Sequence, residues 1–221
     1  NYDVPFRYRA GAVYYYESIS DVVGEYHPEG GHGVGTLMEF TWDRYQGHDL
    51  APSGYSLGLV IEPGWLLGPA LPQSRHTAEI ALTAALHLGS KTVLAARAVA
   101  GAVSTGSVNH ALLLGSGEGV RGLDDSTYFN WAQAYANLEL RHAVHLFERV
   151  ALQGAVFGDA AVFASVDRFG HRAGSGNAFG TGAGLRLIPT FLTELLLRLD
   201  LARLLVPQQT WLLQFGVNQY F

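Results

Sequence analysis

The sequence predicts an all-β chain folded as a transmembrane antiparallel β-barrel of about ten strands. Three observations carry that prediction. Side chains alternate apolar and polar along most of the chain, the period that puts neighbours on opposite faces of a strand. The alternating runs are about 10 to 15 residues long, enough to cross a bilayer at a tilt. Their polar sides also carry too many ionisable groups for a dry core, where each unpaired charge costs several kcal/mol.

Ten runs read as strands: 5–17, 33–45, 54–67, 75–89, 91–104, 128–142, 148–163, 178–188, 193–204 and 210–221. The first three carry aromatics toward their ends, among them Tyr14, Tyr16, Trp42 and Trp65, as do Tyr128, Trp131 and Trp211 later on. Such placements fit the aromatic girdles of a membrane barrel. In 75–89 the polar side holds Glu79 and His87; in 128–142 it holds Gln133, Asn137, Glu139 and Arg141; in 148–163, Arg149 and Gln153. Within 178–188, Phe179, Thr181, Ala183, Leu185 and Leu187 share one side, against Gly180, Gly182, Gly184 and Arg186 on the other. Three glycines in one register would ruin a helix. Leu195, Leu197, Leu199 and Leu201 alternate with Glu194, Arg198, Asp200 and Ala202; helical spacing would mix the ions into the leucine side. The last run places Gln214, Gly216 and Asn218 inward.

Turn signals separate the runs: Pro28-Glu-Gly-Gly31, Ala51-Pro-Ser-Gly54, Leu88-Gly-Ser-Lys91 and Val206-Pro-Gln-Gln209. Short and long connections alternate, and 105–127 is the longest, so it reads as an outer loop. A soluble β-sandwich would alternate too, but its strands are shorter and its inner faces drier.

Composition narrows the function. With 48% apolar and 15% charged residues and 27 Gly in 221, the balance differs from that of an average soluble domain. The net charge of −5 with no Lys/Arg run argues against a nucleic-acid partner. The lack of Cys excludes disulfides and thiolate metal sites. No apolar run is long enough for a helical membrane span. The chain starts at Asn1, which suggests a product of processing or an excerpt of something longer.

The string Gly117-Glu-Gly-Val-Arg-Gly122 matches a dinucleotide-binding pattern, yet a strand rather than a helix follows it. Nine His residues show no metal-ligand spacing; His142 and His145 would face opposite sides of a strand. Ser175 lies in a Gly-rich stretch without a nucleophile elbow; His142 or His171 could serve an outer-membrane Ser/His enzyme, but no nucleophile is singled out. The expectation is therefore no enzyme activity, no cofactor and no metal.

The loop Gly115-Ser-Gly-Glu-Gly-Val-Arg-Gly-Leu123 resembles the Val-Arg-Gly-aromatic loop of the BamA/TamA/FhaC outer-membrane insertase and translocase superfamily, the bacterial surface antigen family. Further matches stand downstream: Glu139 on the next strand, Phe157-Gly-Asp-Ala-Ala161 like the family's Phe-x-Asp-x-Gly, and Gly182-Ala-Gly-Leu-Arg-Leu187 like its Gly-x-Gly-Leu-Arg. The chain also ends on Tyr220-Phe221, an aromatic terminus as in these barrels. Leu123 stands in place of the family's aromatic and Ala161 in place of its Gly.

The resemblance implies that the loop folds inward and that Arg121 reaches Glu139, Asp159 or both, with Gly119, Val120 and Gly122 shaping the turn. It implies Phe157, Gly182, Gly184 and Arg186 as wall motifs, and Gly216, Tyr220 and Phe221 as the last strand's pairing edge and assembly signal. It further implies that residues 1–221 form the C-terminal part of a sixteen-stranded barrel following periplasmic POTRA domains; a complete barrel of about ten strands is the alternative. The implied function is assisting insertion or translocation of client polypeptides in the bacterial outer membrane. Lipids, client outer-membrane or secreted polypeptides, and periplasmic or lipoprotein accessory subunits are then the partners. A passive porin or secretion channel, or the barrel anchor of a larger secreted enzyme, are the alternatives.

Overall fold

The computed structural model describes residues 5–17, 31–45, 53–67, 73–104, 111–117, 119–124, 128–167, 171–189, 191 and 195–217. They form eleven strands in a single antiparallel sheet: β1 (Phe6–Glu17), β2 (Gly31–Asp43), β3 (Gly54–Leu67), β4 (Gln73–Gly89), β5 (Thr92–Val103), β6 (Leu112–Leu114), β7 (Tyr128–Phe147), β8 (Val150–Val166), β9 (Arg172–Pro189), β10 (Leu197–Val206) and β11 (Thr210–Val217). Each pairs with its sequence neighbours, except that β5 pairs with β7 and the short β6 pairs with the start of β7. Nearest-neighbour antiparallel pairing is what short turns between alternating runs produce.

Register carries the alternation across the sheet. Along one row, Glu139 lies opposite Ala95 on one side and Phe157 on the other, and Phe157 lies opposite Gly182. Because a strand's period is two, every such row belongs to one face. One face is apolar and exposed: Leu138 is 52% exposed, Val156 55%, Leu185 52% and Phe215 71%. The other is polar, and over β7–β10 it is buried: Asn137, Glu139, Arg141, Gln153, Asp159, Arg186 and Asp200 are all shielded. This is the reverse of a soluble sheet, in which the apolar face is covered.

The covering element is made by residues 111–117 and 119–124. After β6 it crosses the polar face, where Leu114, Val120 and Leu123 pack with Val99, Tyr135, Ala161, Phe163 and Leu204 as the largest buried apolar cluster. Leu123 and Ala161, two of the positions at which the motifs depart from the resembled pattern, both belong to that cluster. No helix among the described residues is long and apolar enough to cross a membrane.

The architecture differs from the sequence reading in detail. Leu112–Leu114 adds an eleventh strand, too short and too uniformly apolar to show alternation. The strand read from 128 runs on to Phe147, so the following turn falls at Glu148–Arg149 and Arg149 is exposed there rather than inward. The strands read at 178–188 and 193–204 run instead over Arg172–Pro189 and Leu197–Val206. The terminal Tyr220 and Phe221, with Asn218, lie outside the described residues.

A buried charge cluster as candidate functional site

Arg121 lies at the centre of the covered polar face, with no side-chain exposure. The loop presents it through a tight turn. Val120 N–H donates to the Gly115 carbonyl at 3.2 Å and Leu123 N–H to the Val120 carbonyl at 3.2 Å. Gly122 has φ +98°, where a side chain would be strained, and a Cβ there would stand 3.0 Å from Leu204 N. The Gly122 amide donates to Ser116 Oγ at 3.3 Å and its carbonyl accepts from Thr210 Oγ1 at 3.4 Å. The turn is thus tied both to its own loop and to β11.

The guanidinium meets two carboxylates from neighbouring strands. Its Nε and Nη2 donate to the two oxygens of Asp159 on β8, each at 2.8 Å, and Nη1 donates to Glu139 Oε2 on β7 at 2.8 Å. The backbone amide of Arg121 adds a bond to Asp159 Oδ2 at 3.1 Å. Its planar group also lies 3.4 Å from the Phe157 ring centre, a close cation–π contact. Burial by itself would lower the guanidinium's pKa. The bonds and charges of Asp159 and then Glu139 outweigh it and hold the pKa above its usual value, so Arg121 is charged.

The same carboxylates serve further arginines. Glu139 Oε1 is 2.9 Å from Arg141 Nε and 2.6 Å from Arg186 Nη2. Asp200 on β10 lies 3.2 Å from Arg186, 3.3 Å from Arg198 and 3.8 Å from Arg121. The Arg186 contacts lack the alignment of hydrogen bonds and act as charge contacts. Asn137 donates to Asp159 Oδ1 at 2.9 Å and to the Gly119 carbonyl at 2.6 Å, so it ties the loop's backbone to the carboxylate that holds its side chain. Four guanidiniums and three carboxylates share the site, which is why so many charges tolerate one buried patch.

Glycines of β9 make the room. A Cβ at Gly180 would collide with the Arg121 carbonyl oxygen, one at Gly182 with the Leu201 carbonyl and the Phe157 ring, and one at Gly184 with the Asp200 carboxylate. Glu139 and Arg186 belong to strands that are not paired. They meet because the glycine column leaves the space between open.

The structure therefore brings together Arg121, Glu139, Asp159, Gly119, Val120, Gly122, Phe157, Gly182, Gly184 and Arg186. Gly216 lies at the margin on β11, where a Cβ would press on the Arg198 guanidinium. Arg141, Asp200, Arg198, Asn137 and Gly180 join the site without having been assigned to it from the sequence. Alternation put all five on the right face; their meeting depends on the stagger between strands. Among the described residues, no group of three or more His, Asp or Glu side chains is placed to hold a metal. The ion pairs of the site hold the loop's Arg121 against the polar face of β7 and β8. No family model and no curated protein matches this chain, so its function rests on this geometry and on the motifs that make it.

Proposed function

We propose that the chain is the barrel portion of a bacterial outer-membrane protein that assists insertion or translocation of client polypeptides. The observation that carries the reading is the clamp of Arg121 on Asp159 and Glu139, buried on the polar face of a sheet whose other face is apolar and exposed. In this reading the apolar face meets lipid, the polar face lines a lumen as the sheet closes with further strands, and the clamped loop braces that lumen. Lipid contact explains the exposed Leu, Val and Phe, and a wet interior explains why the polar faces of β1–β4 carry Arg7, Arg9, Glu39 and Glu62.

Among the described residues, β1 and β11 each pair with one strand. An unpaired strand edge is a template for another chain's backbone, and Thr210–Val217 is the edge at which a client strand would add. Periplasmic or lipoprotein accessory subunits would deliver the client; no cofactor or covalent step is required.

The test is client assembly in vesicles. The full chain with Arg121→Ala, reconstituted alongside wild type, is expected to lose most client folding while remaining membrane-inserted. Normal client folding by an inserted Arg121→Ala variant would reject the role.

A second reading, a passive channel plugged by its loop, is favoured by the placement of residues 111–117 and 119–124 across the polar face. It predicts that Arg121→Ala raises ion conductance without affecting any client.

A further inference from the structure

The apolar face is not the same at its two ends. Call the loop end the one where segments 18–30 and 104–127 join their strands. Near that end, rings pair with basic or imidazole groups strand after strand. Tyr14 on β1 bonds His32 on β2 at 2.5 Å, and Trp65 on β3 meets His76 on β4 edge-on at 6.5 Å between ring centres. Farther round, the Arg172 guanidinium lies 4.0 Å from the Trp131 ring centre and that of Arg203 lies 5.4 Å from Trp211. Arg172 pairs with Val166 after a register shift, and Val166 alternates in step with the exposed Val162, so Arg172 faces outward. Arg203 follows the exposed Leu199 and Leu201 in the same alternation. At the opposite end the face presents Phe6, Trp42, Tyr55, Leu86 and Phe147. The ring contact described there is apolar, Phe6 against Phe40 at 6.3 Å.

We infer that the loop-end rim binds the phosphate of an anionic lipid headgroup, with Arg172 and Arg203 supplying the charge. The inference rests on the proposed membrane orientation and adds a ligand to it. Indole rings settle at the boundary between acyl chains and headgroups, so a guanidinium stacked on one is held at phosphate depth. A guanidinium held over a ring by its charge keeps in-plane N–H donors, in the fork that suits phosphate oxygens. Arg203 also donates to Gln209 at 3.1 Å, which fixes its direction at the strand's end. Tyr14–His32 and Trp65–His76 add hydrogen-bonding groups at the same rim.

The test uses the full chain in phosphatidylcholine nanodiscs containing a minor fraction of phosphatidic acid. Lipids retained on release are counted by native mass spectrometry, and insertion is scored separately by protease protection in pure phosphatidylcholine. Wild type is expected to retain phosphatidic acid preferentially. Each basic residue beside an anionic surface gives about a fivefold gain, so Arg172→Gln with Arg203→Gln should lower the preference about 25-fold. Lys91→Gln with Arg149→Gln, at the opposite end and with no ring contact described for either, should lower it less than the Arg172/Arg203 pair of changes. Insertion without any preference, a preference that survives the Arg172/Arg203 pair of changes, or one cancelled by inorganic phosphate at equal concentration would overturn the inference. Failure to insert in pure phosphatidylcholine would instead overturn the membrane reading beneath it.

Discussion

The Asp159 carboxylate takes a two-point grip from Arg121, Nε and Nη2 each at 2.8 Å, across 38 residues of sequence. With Glu139 accepting from Nη1, the loop's guanidinium meets two carboxylates, and none of these three side chains has exposed surface. Removing one partner strands the others, and breaking a buried pair costs about 3–5 kcal/mol.

Asp159→Asn therefore destabilises the closed loop by about 3 kcal/mol or more, and Arg121→Ala does the same. Limited proteolysis within 105–127 should speed up in both. Arg121→Lys recovers a part only, because an ammonium cannot grip both oxygens in one plane. Equal cleavage rates in wild type and all three variants would remove the clamp from the account.

The glycine column offers a test with its own control. Gly184→Ala drives a methyl into the Asp200 carboxylate and Gly180→Ala drives one into the Arg121 carbonyl. Overpacking of this kind costs about 1–3 kcal/mol. Gly154 and Gly158 on β8 have nothing within 4 Å of an added Cβ, so the same change there should leave the thermal midpoint near wild type. Thermal unfolding in detergent separates the two pairs.

Glu139 is shared by Arg121, Arg141 and Arg186. Glu139→Gln leaves three guanidiniums against fewer negative charges, so it should be more harmful than Asp159→Asn and be partly relieved by Arg141→Gln. A double-mutant cycle on thermal stability reads the coupling, expected to be about 1 kcal/mol or more between groups in one network.

On the apolar face, Leu138→Arg or Leu199→Arg should impair refolding into bilayers by about 2–4 kcal/mol, and the same change near a strand end should cost less. Refolding yields in lipid vesicles that do not depend on position would argue against lipid contact.

Much of this was legible in the sequence, for a physical reason. Leu199, Asp200, Leu201 and Ala202 alternate so regularly that faces follow from counting by two, and the structure keeps those faces. Boundaries were less legible because alternation continues through a tight turn: Arg149 continued the pattern yet lies in the bend after Phe147. Leu112–Leu114 carried no alternation at all. The clamp was suggested by motif, whereas Asp200, Arg198 and Gly180 were not, since their meeting with Arg121 and Glu139 depends on inter-strand stagger and on which side chains are missing between them. Neither quantity is written in local periodicity.

The central claim is that the two faces of one sheet meet two solvents. The chain has no Cys, so single cysteines placed in turn from Ala78 to Ala84 on β4 can carry spin labels without background, away from the clamp. In vesicles, collision with oxygen should be high at 78, 80, 82 and 84, and collision with a water-soluble nickel complex high at 79 and 83, with Ala81 covered by the loop's apolar cluster. A profile with no alternation, or with every position open to the nickel complex, would contradict the account.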